Sequence, residues 1–203
     1  MSLLLVGLLV GGGAVAWAAG DVDSYAQRIS SLVDPAKLAT LGARGANPRV
    51  EKYVALLAEG KADGVAPKKA AAKAVAVVGM KGKAAKLTAE AMVRNLTIAE
   101  RLGCLDSEGL GEMRKGQAPT VCRGPYRGEN LSVDHIIPRA VVLELDNVIA
   151  NLELMPLKLN EGKNARIGAR QVSLARKLHK AGLLGAEGLA AVERKGLYRV
   201  RSP

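Results

Sequence analysis

Two pieces of this chain decide how it folds: TVCRGPYRGENLSVDHIIPRA from Thr120 to Ala140, and NLELMPLKLNEGK from Asn151 to Lys163. In the first, Thr120 to Arg123 and Leu131 to Ile137 read as short strands around a turn containing Gly124-Pro125 and Gly128. His135 therefore falls near a strand end. In the second, Leu152 to Met155 is another strand-like run. The segment beyond it places Ile167, Val172, Leu174, Ala175 and Leu178 at helical spacing, with a stop near Gly182 or Gly185. The local order is strand, loop, strand, helix.

Upstream, the chain reads as helices. Asp34-Pro35 and Asn47-Pro48 each place a capping side chain before a proline at the first helical position, and Gly42 and Gly60 stand at the expected stops. Val50, Val54 and Leu57 recur at helical spacing, as do Met92, Val93, Leu96 and Ala99, so both helices have a face to bury. Between them, Pro67 to Lys86 is mostly Ala and Lys. Such a run either contacts phosphates or is the solvated face of a helix, and the solvated face is the simpler reading. Near Asp106 the pattern changes, and Gly116 to Pro119 reads as a connection. There is no internal repeat.

From Met1 to Gly20 there is no ionisable side chain, and an apolar run from Leu3 to Val10 is followed by three glycines and Ala16-Trp17-Ala18. The small-x-small pattern implies a signal peptide over residues 1–19, cleaved near Ala18 or Ala19, and so a secreted or periplasmic protein. The alternative is a membrane anchor in the same segment. Export would put Cys104 and Cys122 in an oxidising compartment, where a disulfide competes with two small buried thiols. Their spacing of eighteen offers no CxxC pair.

Of the 203 residues, 49% are apolar and 24% charged, which excludes wholesale disorder and a polytopic membrane protein. A net charge of +11 favours a polyanionic partner. From Arg114 onward sixteen Lys and Arg face eight Asp and Glu, leaving +8, whereas Asp21 to Met113 carries only +3. Aromatics make up 2% and Phe is absent, so stacking bases on an aromatic platform is excluded as the main mode of recognition. Chemistry needing an imidazole has two candidates, His135 and His179. His179 sits near a helix C-terminus, where it reads as a surface residue.

The motifs resemble the HNH endonuclease family, the ββα-metal nucleases, over roughly Pro119 to Gly182, about a third of the chain. Asp134-His135 matches the family's strand-end pair. Asn151 opens NLELMP, Asn160 lies nine residues on, and Lys163 three beyond that. Asn in place of the last His makes the chain similar to the HNH domain of RNA-guided CRISPR nucleases. Many members carry two zinc-binding cysteine pairs; here the second pair would fall at Pro156 and Leu159, so no structural zinc is expected. The loop from Arg139 to Ala150 also lacks the Gly and Ser common there, and no function attaches to it.

The resemblance implies an α+β, mainly helical fold: a helical region over residues 20–115 and a ββα-metal module with C-terminal helices over residues 116–203. It implies His135 as the base that deprotonates water, with Asn151 organising the loop and holding the imidazole in its tautomer. Asp134 and Asn160 become two hard oxygen ligands for Mg²⁺ or Mn²⁺. Lys163, Arg139 and Arg166 are phosphate-contact candidates, with Arg123, Arg127 and Arg170 as a wider group. The function so implied is an exported, metal-dependent endonuclease acting on nucleic acid, DNA in the first place, with little sequence specificity. Protein partners and a small-molecule cofactor are not indicated. The alternative is a basic protein that binds nucleic acid through the same fold without cutting it.

The mature N-terminus tests the export reading. Mass spectrometry of protein recovered from the producing cell should find a chain beginning at Ala19 or Gly20; an intact chain retaining Met1 would contradict cleavage.

Overall fold

The computed structural model describes residues 21–198. The expected signal peptide, residues 1–19, lies outside them; among the described residues no helix is long and apolar enough to cross a membrane. The protein is α+β and mainly helical, with one two-stranded antiparallel sheet. Six helices come first: α1 (Val22–Val33), α2 (Pro35–Ala39), α3 (Asn47–Ala62), α4 (Pro67–Val77), α5 (Gly82–Leu102) and α6 (Ser107–Lys115). Strands β1 (Leu131–His135) and β2 (Leu152–Pro156) follow, then α7 (Leu157–Lys163), α8 (Ala169–Lys180) and α9 (Ala186–Tyr198).

The helix starts follow their capping chemistry. The Asp21 carboxylate accepts from the backbone N–H groups of Asp23 and Ser24 to open α1, Asp34 caps α2, and Asp106 caps α6 through the Gly109 N–H. Two local readings need correction. Asn47 is the first residue of α3 rather than its cap, because the Ala46 carbonyl already accepts from the Arg49 and Val50 N–H groups. Gly60 does not stop α3: it lies inside the helix where a Cβ would sit 3.2 Å from Tyr25 Cγ, so its small size lets α1 approach. The Ala/Lys run divides into α4 and the start of α5. Ala70, Ala71, Ala74 and Val75 are buried there and every lysine from Lys68 to Lys86 is exposed.

The expected strand from Thr120 to Arg123 shrinks to a single bridge between Thr120 and Asn130. The Val121 N–H still bonds the Glu129 carbonyl (2.7 Å), but the Cys122 and Arg123 N–H groups both bond the Leu102 carbonyl at the end of α5 (3.0 and 2.9 Å). Cys104 is buried, Cys122 is exposed, and the two thiols are not bridged. Burial pushes the Cys104 thiol up to about 12, so it stays protonated at neutral pH.

A two-stranded hairpin is marginal by itself, and this one is held from outside. In register, Val133 faces Leu154 and His135 faces Leu152, while Asp134 faces Glu153. Alternation sends Leu131, Val133, Leu152 and Leu154 into a core shared with α1 to α5. Each such leucine contributes on the order of 2 kcal/mol through burial. The open edge of β2 is closed by a side chain. Asn95 of α5 accepts from the Leu154 N–H (3.0 Å) and donates to the Leu152 carbonyl (3.2 Å) and the Tyr53 hydroxyl (2.6 Å). Its amide stands in for a third strand. A second core, built on Ile137, Leu145, Ile167, Ala175, Leu178 and Val192, fastens α8 and α9 to the loop between the strands.

Asn95→Ala leaves the Leu154 N–H without its partner inside the core. Denaturant unfolding should show a loss of about 2 to 4 kcal/mol; a loss below about 0.5 kcal/mol would mean that α5 does not hold the sheet edge.

Candidate active site

Asp134 and His135 end β1, and Asn160 stands one turn before the end of α7, the helix that β2 leads straight into. All three line one cleft of about 260 Å³, with Arg44 and Asn47 from the helical region and Arg139 from the loop between the strands. His135 is only 7% exposed. Its Nε2 lies 2.8 Å from the backbone carbonyl of Asp146. A carbonyl oxygen can only accept, so Nε2 carries the proton and, in the neutral ring, Nδ1 has the lone pair. The Asp146 carboxylate oxygen Oδ1 is also 2.9 Å from Nε2, yet it lies off the N–H direction and has no hydrogen-bond donor.

Asp146 is itself tightly fixed. Oδ2 accepts from Arg139 Nε at 2.8 Å and from the Arg44 N–H at 3.2 Å. Burial works against its charge, but those two donors and the neighbouring imidazole outweigh it and hold the carboxyl below the usual carboxylate range. The adjoining Asn147 joins the same clasp. It accepts from the Ala46 N–H (3.0 Å) and donates to the Leu41 and Gly42 carbonyls (3.2 and 3.1 Å). The loop that carries the imidazole's partner is thus fastened to residues a hundred positions earlier in the chain.

Asn151 is fully buried and makes no hydrogen bond to the imidazole. Its side chain brackets Ile137, accepting from the N–H at 2.8 Å and donating to the carbonyl at 3.1 Å, and it also reaches the Leu145 carbonyl at 3.3 Å. It ties Ile137 to Leu145 at the base of the loop, and the imidazole's own hydrogen bond goes to the Asp146 carbonyl. Asp146, which the sequence did not single out, is the residue that fixes the ring. Its only local signal is a polar Asp-Asn pair inside the otherwise mostly apolar run VVLELDNVIA.

Asp134 is 7% exposed, and burial raises its carboxyl above the ordinary range despite the Lys163 ammonium beside it. Lys163 is not a free phosphate ligand. Its Nζ is bonded to Asp134 Oδ2, to the His135 carbonyl (2.8 Å) and to the Ile136 carbonyl (3.3 Å). Directly across the ladder, Glu153 is neutralised separately by Arg94 (3.4 Å) and Arg170. Arg139 is committed to Asp146, and Arg166 is exposed and does not line the cleft. His179 lies away from the cleft, its Nδ1 2.9 Å from the Leu184 carbonyl.

The donor set fits a hard divalent cation. Asp134 offers a carboxylate oxygen that accepts no hydrogen bond among the described residues. Asn160 uses its amide nitrogen on Ser132 Oγ (3.1 Å) and leaves its oxygen unbonded. One carboxylate and one amide oxygen leave most of an octahedron for water and phosphate. Among the described residues no group of three or more His, Cys, Asp or Glu forms an alternative metal site. No family model, curated protein or solved structure matches the chain.

The lowered Asp146 carboxyl predicts a pH signature. Its contribution to stability is present above the unfolded-state value of about 3.9 and lost as pH falls through the lower folded-state value. Asp146→Asn should therefore be less stable than wild type at neutral pH, with the gap narrowing below about pH 4. A gap independent of pH would rule out the ionised Arg139 and Arg44 partnership.

Proposed function

We propose that this protein is a metal-dependent endonuclease of the HNH type, exported from the cell, that hydrolyses phosphodiester bonds of nucleic acid, principally DNA, with little sequence preference. The observation that carries this reading is a buried imidazole with one nitrogen tied to a carbonyl and the other left to accept a proton, in the same cleft as Asp134 and Asn160. Fixing the Nε2–H tautomer makes His135 Nδ1 the base toward a water in the cleft. As the water oxygen bonds to phosphorus, its proton passes to Nδ1 and the bond to the leaving oxygen breaks. The ring becomes an imidazolium, and the Asp146 carboxylate 2.9 Å from Nε2 is placed to stabilise that charge. Asn151 keeps the loop at the distance this requires. Asp134 and Asn160 would hold Mg²⁺ or Mn²⁺, which supplies positive charge against the phosphate oxygens. The excess of basic residues after Arg114 supports backbone binding without base readout.

One observation favours the second reading, a binding protein that does not cut. The Lys163 ammonium already neutralises Asp134, as a carboxylate with no metal to hold would require. Supercoiled plasmid separates the two. The enzyme should nick it with Mg²⁺ or Mn²⁺ and stop on adding EDTA, and His135→Ala should lose about a hundredfold or more of the rate while staying folded and still binding DNA. Plasmid bound but left intact with every divalent metal tried would establish the second reading.

A further inference from the structure

Among the described residues, two non-glycines have left-handed backbone, Arg44 (φ 58°) and Asn164 (φ 53°), and both line the cleft of His135. Neither is a glycine, so each holds a positive φ only where its surroundings impose it. Arg44 is imposed upon from both sides. Its N–H donates to Asp146 Oδ2 at 3.2 Å, and its carbonyl accepts from the Asn47 N–H at 3.0 Å. Its guanidinium, by contrast, makes no ion pair or hydrogen bond among the described residues, and the residue is exposed. The other arginine of the cleft is bound to Asp146, so Arg44 is the one cleft-lining cation without a carboxylate partner among the described residues.

We infer that Arg44 is the phosphate-binding residue of this cleft, its guanidinium gripping the non-bridging oxygens of a nucleic-acid phosphodiester. The inference rests on the nuclease reading for the reaction, though not for the binding. A guanidinium presents paired N–H donors that match a phosphate, which an ammonium cannot do. Asp146 holds the Arg44 backbone through its carboxylate and the His135 ring through its carbonyl, so anion binder and proton acceptor are set by one residue. Arg44 lines the cleft from the helical region, beside Asn47. The grip comes from the helical region, which the two strands and α7 cannot supply.

Arg44→Gly and Arg44→Asn both keep a backbone that accepts positive φ, and both retain the N–H to Asp146. Full-length protein would be titrated with a short fluorescein-labelled DNA duplex in EDTA across a NaCl series, and plasmid cleavage measured separately with Mn²⁺. Both variants should melt no lower than wild type, bind about tenfold more weakly, and show a salt slope smaller by about 0.9, the loss of one phosphate contact. Their kcat/KM should fall at least as far as their affinity. Arg44→Lys should recover the salt slope and little of the rate. Lys68→Ala, an equal loss of charge on α4 outside the cleft, should leave cleavage unchanged. A wild-type salt slope in Arg44→Gly and Arg44→Asn overturns the proposal, whether or not the protein cleaves. If wild type binds without cutting, the nuclease reading fails while the slope still decides the role of Arg44.

Discussion

The cleft depends on Asp146. Its carbonyl takes the proton of His135 Nε2, its carboxylate takes Arg139 and the backbone of Arg44, and it is buried where each partner is needed to offset lost hydration. An imidazole at the end of a strand would otherwise have two tautomers and several rotamers available. One carbonyl at 2.8 Å removes one tautomer and orients the ring. The same contact leaves Nδ1 as the only nitrogen of the neutral ring able to accept a proton.

That arrangement holds only while two stretches remote in sequence stay together. The loop after β1 is closed at its base by Asn151 and clasped at its tip by the turn between α2 and α3. The sheet that carries Asp134 and His135 is edged by Asn95 and floored by leucines that belong to the helical core. The helical region and the strands are consequently one folding problem. A cut at residue 116 would strip β2 of its edge partner and Asp146 of the Arg44 N–H. Like charges facing each other at Asp134 and Glu153 survive because each carboxylate has its own cations, Lys163 on one and Arg94 with Arg170 on the other.

What could be read beforehand was whatever is set by short spacing. Leu131 to Ile137 reads as a strand, Asp34 announces a helix start, and Asp134, His135, Asn151 and Asn160 sit on elements whose order follows from local pattern. The remainder depends on tertiary partners that no local window contains. Thr120 to Arg123 has strand propensity, but two of its backbone donors are claimed by the end of α5. Gly60 looks like a stop, but it is small for the sake of the Tyr25 ring. Lys163 stands at the spacing of a phosphate contact, yet buried Asp134 is the nearer anion. Asp146 and Arg44 are 102 residues apart, and only the folded chain reveals that the Arg44 N–H meets the carboxylate of the residue whose carbonyl holds His135.

The most direct measurement is the protonation of the His135 ring. With only two histidines in the chain, long-range ¹H–¹⁵N correlation spectra of wild type and His179→Gln assign the His135 ring without ambiguity. At a pH where the ring is neutral, Nε2 should carry the proton and Nδ1 should give the shift of an unprotonated nitrogen. A proton on Nδ1 would break the bond to the Asp146 carbonyl, leave no base facing the cleft, and contradict the account.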